Sequence, residues 1–371
     1  MFISENAYVS LFKENQLFLE EFMESAMVKT NKRLISLNMY MKSNKVTEQD
    51  IQQLFLHIES KQDYLKRFYK TSLSIDPDIS IRDAPMENTF SNNKLVKYKN
   101  IIRNMHLYDI LKTTMSGLDN NPSYLTTLEN LYNKNIIDYK LLTPSATHYI
   151  KKNRIGGVFS SFYFRASIMN PYLVYSLNES VLKGTKIFTP TLGWTSYCYG
   201  FLECPNVIEY VGTDVIESVC DKTQYFADML YPNKSVDIFN CPSEKMLTNK
   251  NFASQYINHF DVVFFSPPYY KLEMYSGDEQ STELYKTYQD WLNNYWEPTV
   301  YLCYQVLQKG GRLCYILSGY GKNLEYNLVE DMNEITSKYF QEKMVLSMQN
   351  KNANMTSHRR TGEQIMIYEK V

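Results

Sequence analysis

Two rhythms of hydrophobic and polar positions divide the chain. Over the first 150 residues apolar side chains recur three and four positions apart, as along residues 17–23 and 51–65, which is typical of helices that bury one face. From about residue 155, short apolar runs alternate with longer segments, which indicates strands joined by crossover helices. The pattern predicts a mainly helical domain over residues 1–150 and an α/β domain over residues 151–371.

Local signals refine this division. Thr47, followed three residues later by Asp50, predicts a helix start in a capping-box arrangement. Residues 74–95 are polar and interrupted by proline, which predicts a loop or a linker between subdomains. Helices are expected to resume near 100–116 and 122–133.

The second half predicts a doubly wound, Rossmann-like α/β sheet. Crossover helices are expected over residues 215–230 and 283–307. The predicted strands are residues 186–188, 208–211, 236–239, 262–265, 312–317 and 364–368.

Charge and composition exclude several classes of protein. The formal net charge is −1, so a nucleic-acid contact must come from a local basic patch. The best candidate is Lys151, Lys152, Arg154 and Arg165, although solvated charge at a helix end is an equal alternative. No window approaches the roughly 20 apolar residues of a membrane span, and the six cysteines form no Cys-x-x-Cys pair. We therefore expect a cytoplasmic protein with reduced thiols.

The most informative motif ends the predicted strand 262–265. Ser266, Pro267, Pro268 and Tyr269 follow it directly, and two prolines in succession force a rigid, extended turn. The turn holds a hydroxyl and an aromatic ring at the carboxyl edge of the sheet, where open α/β sheets bind ligands. Such a pocket suits a flat ring that carries an amine. In isolation, the same residues also describe a surface loop.

Two earlier strand ends supply a second candidate site. The strand 186–188 leads into a turn that contains Thr189, Pro190 and Gly193, and about 20 residues later the next strand ends at Asp214. A carboxylate there can accept hydrogen bonds from both hydroxyls of a ribose, or it can cap the following helix. The third strand ends at Asn240 and Cys241, followed by Ser243, which can meet an adenine edge or serve as caps.

In this order the motifs resemble those of the amino-methyltransferases that phages and large DNA viruses carry for their DNA. The likeness covers roughly residues 155–371 and includes the stretch that holds Phe164 and Ser167, the turn at Gly193 and the Ser-Pro-Pro-Tyr motif. It implies S-adenosylmethionine as the cofactor and DNA as the partner. It also implies two sets of site residues: Ser266, Pro267, Pro268 and Tyr269 for catalysis; and Phe164, Ser167, Thr189, Pro190, Gly193, Asp214, Asn240 and Cys241 for the cofactor. The candidates for nucleic acid are Tyr270, Lys271, Arg359 and Arg360, with the basic patch; ordinary solvated loops are the alternative for Lys271 and for the two arginines.

The resemblance implies site-specific methylation of an exocyclic amino group. The lone pair of such an amine is delocalised into the ring, and acceptors at Ser266 Oγ and the Pro267 carbonyl would draw it toward tetrahedral geometry. Tyr269 would stack on a base flipped out of the duplex, and no metal is required. Serine at the first motif position slightly favours cytosine N4 over adenine N6. Glu273, Tyr275 and Gln280 lie in the following loop and are further candidates for substrate contact.

Two departures keep other functions open. Thr189 stands where the related enzymes usually carry an acid, and Thr195 stands at their second glycine; a neutral hydrogen bond is weaker than a charge-assisted one. Glu217 is a candidate to compensate. The alternatives are an RNA amino-group methyltransferase and a weak or inactive scaffold subunit with this fold that binds nucleic acid. The N-terminal helices are expected to recognise DNA or a protein partner, or to brace the sheet.

Overall fold

The computed structural model describes most of the chain. The described residues are 1–13, 17–31, 33–116, 122–163, 165–275, 279–319, 326–349 and 362–371. Phe164, Arg359 and Arg360 lie outside these ranges, as does the side chain of Glu273.

The chain folds into two compact units, and each takes two segments of the sequence. The first unit comprises Met1–Ser74 and Arg103–Ala166, and the second comprises Ile75–Ile102 and Ser167–Val371. This grouping differs from the predicted division at residue 150, because residues 75–102 belong with the sheet domain and the first unit continues to residue 166.

The first unit is mainly helical. Thr47 and Asp50 cap the start of one helix reciprocally, as predicted. A small sheet pairs Met27–Lys29 antiparallel with Leu34–Ser36 and in parallel with Ile136–Asp138. Its helices are α1 (Glu5–Val9), α2 (Leu19–Ser25), α3 (Leu37–Ser43), α4 (Glu48–Glu59), α5 (Lys61–Ser72), α7 (Tyr124–Lys134), α8 (Pro144–Lys151) and α9 (Ile155–Phe162), and its strands are β1 (Met27–Lys29), β2 (Leu34–Ser36), β4 (Met115–Ser116) and β5 (Ile136–Asp138). Helix α6 (Lys97–Met105) runs across the division between the units.

The second unit is built on one large sheet. Its strands are β3 (Phe90–Ser91), β6 (Lys186–Thr189), β7 (Glu209–Asp214), β8 (Ser235–Asn240), β9 (Phe260–Phe265), β11 (Leu307–Leu317), β12 (Gln341–Gln349) and β13 (Glu363–Glu369), with a further short strand β10 (Glu273–Met274) outside this sheet. In its described part the strand order is β3-β12-β13-β11-β9-β6-β7-β8. Strands β11, β9, β6, β7 and β8 are parallel, and β13 is antiparallel to both of its neighbours.

Helices complete the doubly wound arrangement. Four successive residues of β9, from Val262 to Phe265, are buried. Since neighbouring residues of a strand point to opposite faces, both faces of the sheet are covered here. The helices are α10 (Pro171–Leu177), α11 (Ser196–Leu202), α12 (Glu217–Leu230), α13 (Lys250–Tyr256), α14 (Ser281–Leu284), α15 (Tyr288–Trp291), α16 (Glu297–Val306) and α17 (Leu328–Ser337).

Residues 75–102 form a packed strap. The backbone N–H of Met86 donates to Ser176 Oγ on α10 at 3.0 Å, and the Tyr172 hydroxyl donates to the Ala84 carbonyl. Ile81 and Met86 are buried. The segment has little regular structure, as its composition predicts, but its contacts make it an integral part of the sheet domain.

Within the described ranges, no helix combines the length and the apolar character needed to cross a membrane.

Candidate functional site

The turn after β6 has an unusual backbone. Gly193, Trp194 and Thr195 have φ angles of 52°, 59° and 69° in succession, a left-handed conformation that costs a non-glycine residue about 1–2 kcal/mol. A Cβ added to Gly193 would lie 2.2 Å from Cζ of Tyr197. Glycine is therefore needed here because a tyrosine ring packs directly against its α-carbon.

Tyr197 connects this turn to the Ser-Pro-Pro-Tyr motif. Its hydroxyl accepts a hydrogen bond from the Ser266 backbone N–H at 3.1 Å, and its ring meets Phe264 edge to face at 5.1 Å. Sequence reasoning missed Tyr197, which lies in an apolar helix start with no motif of its own. Tyr197 contacts both Gly193 and Ser266, so it joins the predicted cofactor turn to the Ser-Pro-Pro-Tyr motif.

Ser266 is held in a defined orientation. Its hydroxyl donates to the Ile316 carbonyl of β11 at 3.1 Å, because β9 and β11 run parallel with Phe265 opposite Tyr315. A hydroxyl has one proton and two lone pairs. With its proton directed at the neighbouring strand, the Ser266 oxygen can serve a ligand as an acceptor.

The tyrosines of the motif have different surroundings. Tyr269 is half-buried, and its hydroxyl lies 3.3 Å from Ser318 Oγ. Tyr270 is buried among Tyr288, Trp291 and Tyr326, and its hydroxyl donates to the Lys286 carbonyl. Packing thus occupies the Tyr270 ring and keeps it off the cavity wall, and its assignment to nucleic-acid binding stays a prediction. The Lys271 ammonium lies 5.0 Å from the centre of that ring.

Asp214 ends β7 as predicted and points into a cavity. Its carboxylate accepts hydrogen bonds from the backbone N–H groups of Leu192 at 3.1 Å and Ile216 at 3.2 Å. Burial raises the pKa of this carboxyl, and the backbone hydrogen bonds partly oppose that rise. The Leu192 contact ties the end of β7 to the turn after β6.

One cavity unites the sites. Ser167, Pro190, Gly193, Asp214 and Cys241 line it together with all four residues of the Ser-Pro-Pro-Tyr motif. Its other lining residues are Asn92, Ile168, Met169, Thr191, Trp194, Tyr197, Val215, Ile216, Val219, Ser243, Glu244, Leu272, Tyr275, Glu279, Gln280, Ser281, Tyr295 and Glu363.

Two residues predicted to bind the cofactor do not line this cavity. Thr189 is buried, with Oγ1 2.6 Å from the Tyr210 hydroxyl. Asn240 is exposed and donates to the Asp214 carbonyl oxygen at 3.1 Å. The structure places both side chains away from the cavity wall: Thr189 packs in the core because its position belongs to β6, and Asn240 braces the end of β7. Thr195, the other departure, is likewise buried, with Oγ1 2.6 Å from that of Thr223.

The sequence patterns also did not identify Glu244 as a site residue. It follows β8 in a short 3-10 helix, Ser243–Thr248, and accepts a hydrogen bond from the Tyr285 hydroxyl at 3.3 Å. Burial raises the pKa of its carboxyl. The hydroxyl of neighbouring Ser243 is paired with Thr299 Oγ1 at 2.8 Å. Glu244 is the titratable residue of this helix that lines the cavity.

Two hydroxyl groups on the wall are buried and have no hydrogen-bond partner among the described residues. They are Thr191 Oγ1 and the Tyr295 hydroxyl. An unsatisfied buried hydroxyl costs about 1–3 kcal/mol, so both are suited to binding a polar ligand.

The aromatic rings of Trp194 and Tyr275 meet on this wall. Their centres are 5.5 Å apart and their planes are nearly perpendicular. The contact joins the turn after β6 to the loop that follows the Ser-Pro-Pro-Tyr motif. Gln280 from the same loop also lines the cavity, whereas Glu217 is exposed at the start of α12.

The predicted basic patch lies in the first unit. Lys151 pairs with Asp50 at 2.8 Å, and the Arg165 guanidinium lies 5.1 Å from the centre of the Tyr124 ring. Lys152 and Arg154 are exposed. Two of the four cations therefore have partners within the unit, and the other two are accessible.

Comparison with known proteins gives distant structural likenesses only. No family model matches the sequence, and no curated protein matches it. The structure is similar to TrmN from Thermus thermophilus, with 12% identity, a TM-score of 0.36, and coverage of 55% of this chain and 49% of TrmN. It is similar to the N-methyltransferase NodS from Bradyrhizobium japonicum in complex with S-adenosyl-L-homocysteine, with 11% identity, a TM-score of 0.34, and coverage of 53% and 83%. It is also similar to NSun6 from Pyrococcus horikoshii, with 14% identity, a TM-score of 0.37, and coverage of 56% and 53%. The chain thus spans about half the length of TrmN and of NSun6.

Proposed function

We propose that this protein is an S-adenosylmethionine-dependent, site-specific methyltransferase that acts on an exocyclic amino group of a DNA base. The observation that carries the proposal is the orientation of Ser266, whose oxygen is available as an acceptor on the wall of the cavity that also holds Asp214. An acceptor for an amine and a carboxylate for a ribose thus share one cavity.

The residues present suit this cofactor. The Asp214 carboxylate would accept from its ribose hydroxyls, and the turn through Pro190 and Gly193 would contact its amino-acid portion. The Thr191 hydroxyl, unpartnered among the described residues, is a donor that a carboxylate can use. When bound, S-adenosylmethionine supplies an electrophilic methyl group. The departure at Thr189 does not weaken this reading, since that side chain packs in the core rather than on the wall.

The Ser-Pro-Pro-Tyr motif would prepare the target amine. Ser266 Oγ and the Pro267 carbonyl would accept hydrogen bonds from the two N–H groups of this amine. These bonds would withdraw the nitrogen lone pair from the ring and direct the lone pair at the methyl group. Tyr269 stacks on the extruded base. Because Tyr197 holds the Ser266 backbone, positioning for in-line transfer is built into the turn and the motif together.

Cytosine N4 is the favoured target, and DNA is the favoured nucleic acid, on the strength of the serine that opens the motif and of the resemblance to DNA enzymes. Lys152 and Arg154 are accessible to phosphates. The first unit would supply recognition of the target sequence or of a protein partner.

The test is analysis of the modified nucleoside. The purified protein is incubated with S-adenosylmethionine that carries a labelled methyl group, and with either unmethylated duplex DNA or an RNA transcript of the same sequence. The nucleic acid is then digested and its nucleosides are separated by mass spectrometry. We expect N4-methylcytosine from DNA. N6-methyladenine, or label in RNA alone, would replace the substrate assignment.

Variants separate catalysis from binding. Ser266→Ala is expected to lower transfer at least about 100-fold while it retains cofactor binding, because it removes an acceptor needed for reaction. Ser254→Ala, at an exposed helix position, is the control and should match the wild type. Binding of cofactor without transfer to any DNA or RNA would favour the scaffold function instead.

A further inference from the structure

Tyr295 is a buried polar group on the cavity wall for which the proposed reaction has no role. It lies in the turn of π-helix Leu292–Trp296, between α15 and α16. Its side chain is 3% exposed, and its hydroxyl has no hydrogen-bond partner among the described residues.

The π-helix of Tyr295 packs against the 3-10 helix that carries Glu244 after β8, and both residues line this end of the cavity. Burial raises the pKa of Tyr295 well above its usual range, and the nearby charge of Glu244 and then that of Asp214 raise it further. Tyr295 therefore stays protonated and can donate. Glu244, Asp214 and Tyr197 line the same cavity as Tyr295.

The two groups at this end are complementary to one arrangement of ligand atoms. Glu244, when ionised, can only accept hydrogen bonds, whereas the Tyr295 hydroxyl has a proton to donate. A ring edge that carries an amino donor beside a bare ring nitrogen satisfies both. That is the edge of a 6-aminopurine, with its N6 amine and N1 acceptor. A 6-oxopurine presents the opposite pattern, an oxygen acceptor beside an N–H donor.

We propose that Tyr295 and Glu244 read the adenine edge of the nucleoside cofactor, with the Tyr295 hydroxyl donating to N1 and the Glu244 carboxylate accepting from N6. The assignment rests on the proposed function, since it places the ribose at Asp214. In this assignment Glu244 and Tyr295 take the place of Asn240, which is exposed and lies outside the cavity wall. The residues that bind the adenine edge near the end of β8 thus differ from those predicted from the sequence.

The experiment is calorimetric titration with two ligands that differ only at this edge, S-adenosylhomocysteine and S-inosylhomocysteine. The wild type is expected to bind the adenosyl compound at least about tenfold more tightly, because the inosyl compound sets its O6 acceptor against the acceptor oxygens of the Glu244 carboxylate. Glu244→Gln has an amide that can donate to O6, so this variant should show a smaller preference for the adenosyl over the inosyl compound. Tyr295→Phe should weaken adenosyl binding about 5–20-fold.

A stability measurement separates this role from a structural one. Without ligand, Tyr295→Phe should unfold at the wild-type temperature or slightly above it, because an unpartnered hydroxyl leaves the interior. Tyr132→Phe is the matched control: it removes another buried, unpartnered hydroxyl, in the first unit, and should leave ligand binding unchanged.

The outcomes are distinguishable. If the wild type binds the adenosyl compound and Tyr295→Phe binds it equally well, or if the wild type does not discriminate between the two compounds, the assignment is overturned and the proposed function stands. If the wild type binds neither compound, the proposed function itself fails.

Discussion

The half-buried carboxyl group of Glu244 on the cavity wall makes the stability of the protein depend on pH. Burial raises the pKa of Glu244 in the folded protein, so the unfolded chain releases this proton at a lower pH than the folded one does. As the pH rises through this interval the folded state holds more protons, and the free energy of unfolding decreases. Above the folded pKa the full cost of burying the ionised carboxylate is present.

Glu244→Gln should remove that cost while its amide oxygen still accepts from Tyr285. We expect the variant without ligand to unfold about 1–3 °C higher than the wild type at pH 7.5, which corresponds to at most about 1 kcal/mol. The difference should shrink as the pH falls toward 4. Thermal unfolding over this range measures it, with Glu24→Gln at an exposed position as control. A difference that grows in acid would contradict the assignment.

At the scale of elements, the turn between β6 and α11 is shaped by one contact. Gly193 combines a positive φ with a tyrosine ring at its α-carbon, whereas Gly310 has a φ of 77° and nothing within 4 Å of an added Cβ. A comparison of substitutions at the two glycines therefore distinguishes the cost of a left-handed backbone from the cost of steric overlap.

Gly193→Ala should therefore destabilise the protein by about 3 kcal/mol or more, since the Tyr197 ring must move. Gly310→Ala should cost only about 1 kcal/mol, the price of a left-handed alanine. Denaturant unfolding gives both values. Equal losses in the two variants would show that the ring yields easily and that the turn is not anchored by Tyr197.

Tyr197 also couples the position of the turn to that of the Ser-Pro-Pro-Tyr motif. Tyr197→Phe leaves the Ser266 N–H without its acceptor, which should cost about 1–3 kcal/mol of stability and should lower the rate of methyl transfer more than cofactor affinity. Tyr199→Phe is the matched control on the same helix, because its hydroxyl donates to the Ile79 carbonyl away from the cavity. If both variants keep the full transfer rate, Tyr197 has only a structural role.

At the scale of the whole molecule, each unit is assembled from two stretches of sequence. The strap of residues 75–102 contributes β3 to the sheet edge and Asn92 to the cavity wall, although residues of the first unit both precede and follow it in the chain. A cut at the composition change near residue 150 therefore separates the sheet domain from part of its own structure.

A fragment of residues 151–371 should consequently unfold at a lower temperature than the full chain, because the contacts of Ile81, Met86 and Phe90 are lost. Adding a synthetic peptide of residues 75–102 should restore part of the loss in a concentration-dependent way. Calorimetry on fragment and peptide measures this, with a scrambled peptide as control. A fragment as stable as the full chain would show that the strap is dispensable.

Much of the sheet follows from the sequence alone. The strands β6, β7, β8, β9, β11 and β13 match predicted segments, with β11 beginning at Leu307 rather than at residue 312. Apolar runs that end at turn residues carry this signal for the parallel strands and for the antiparallel β13 alike. The helix start at Thr47 and the position of Asp214 at the end of β7 were predicted for equally local reasons.

The strand β12 was not predicted. Its sequence, Gln341–Gln349, has polar ends and leaves most of its side chains exposed, so it lacks the apolar signal of the other strands. Pairing with β13 on one side and β3 on the other makes it a strand. Non-local pairing of this kind is invisible in a window of residues.

The local order of residues thus determined the Ser-Pro-Pro-Tyr turn, the acid at the end of the second predicted strand and the doubly wound sheet, because proline geometry and hydrophobic runs act over a few positions. Only the tertiary structure decided that Thr189 is buried, that Tyr270 is packed away and that Tyr197, Glu244 and Tyr295 share the cavity with Ser266. Those outcomes depend on which strands and helices lie side by side, and contacts between residues far apart in sequence fix that arrangement.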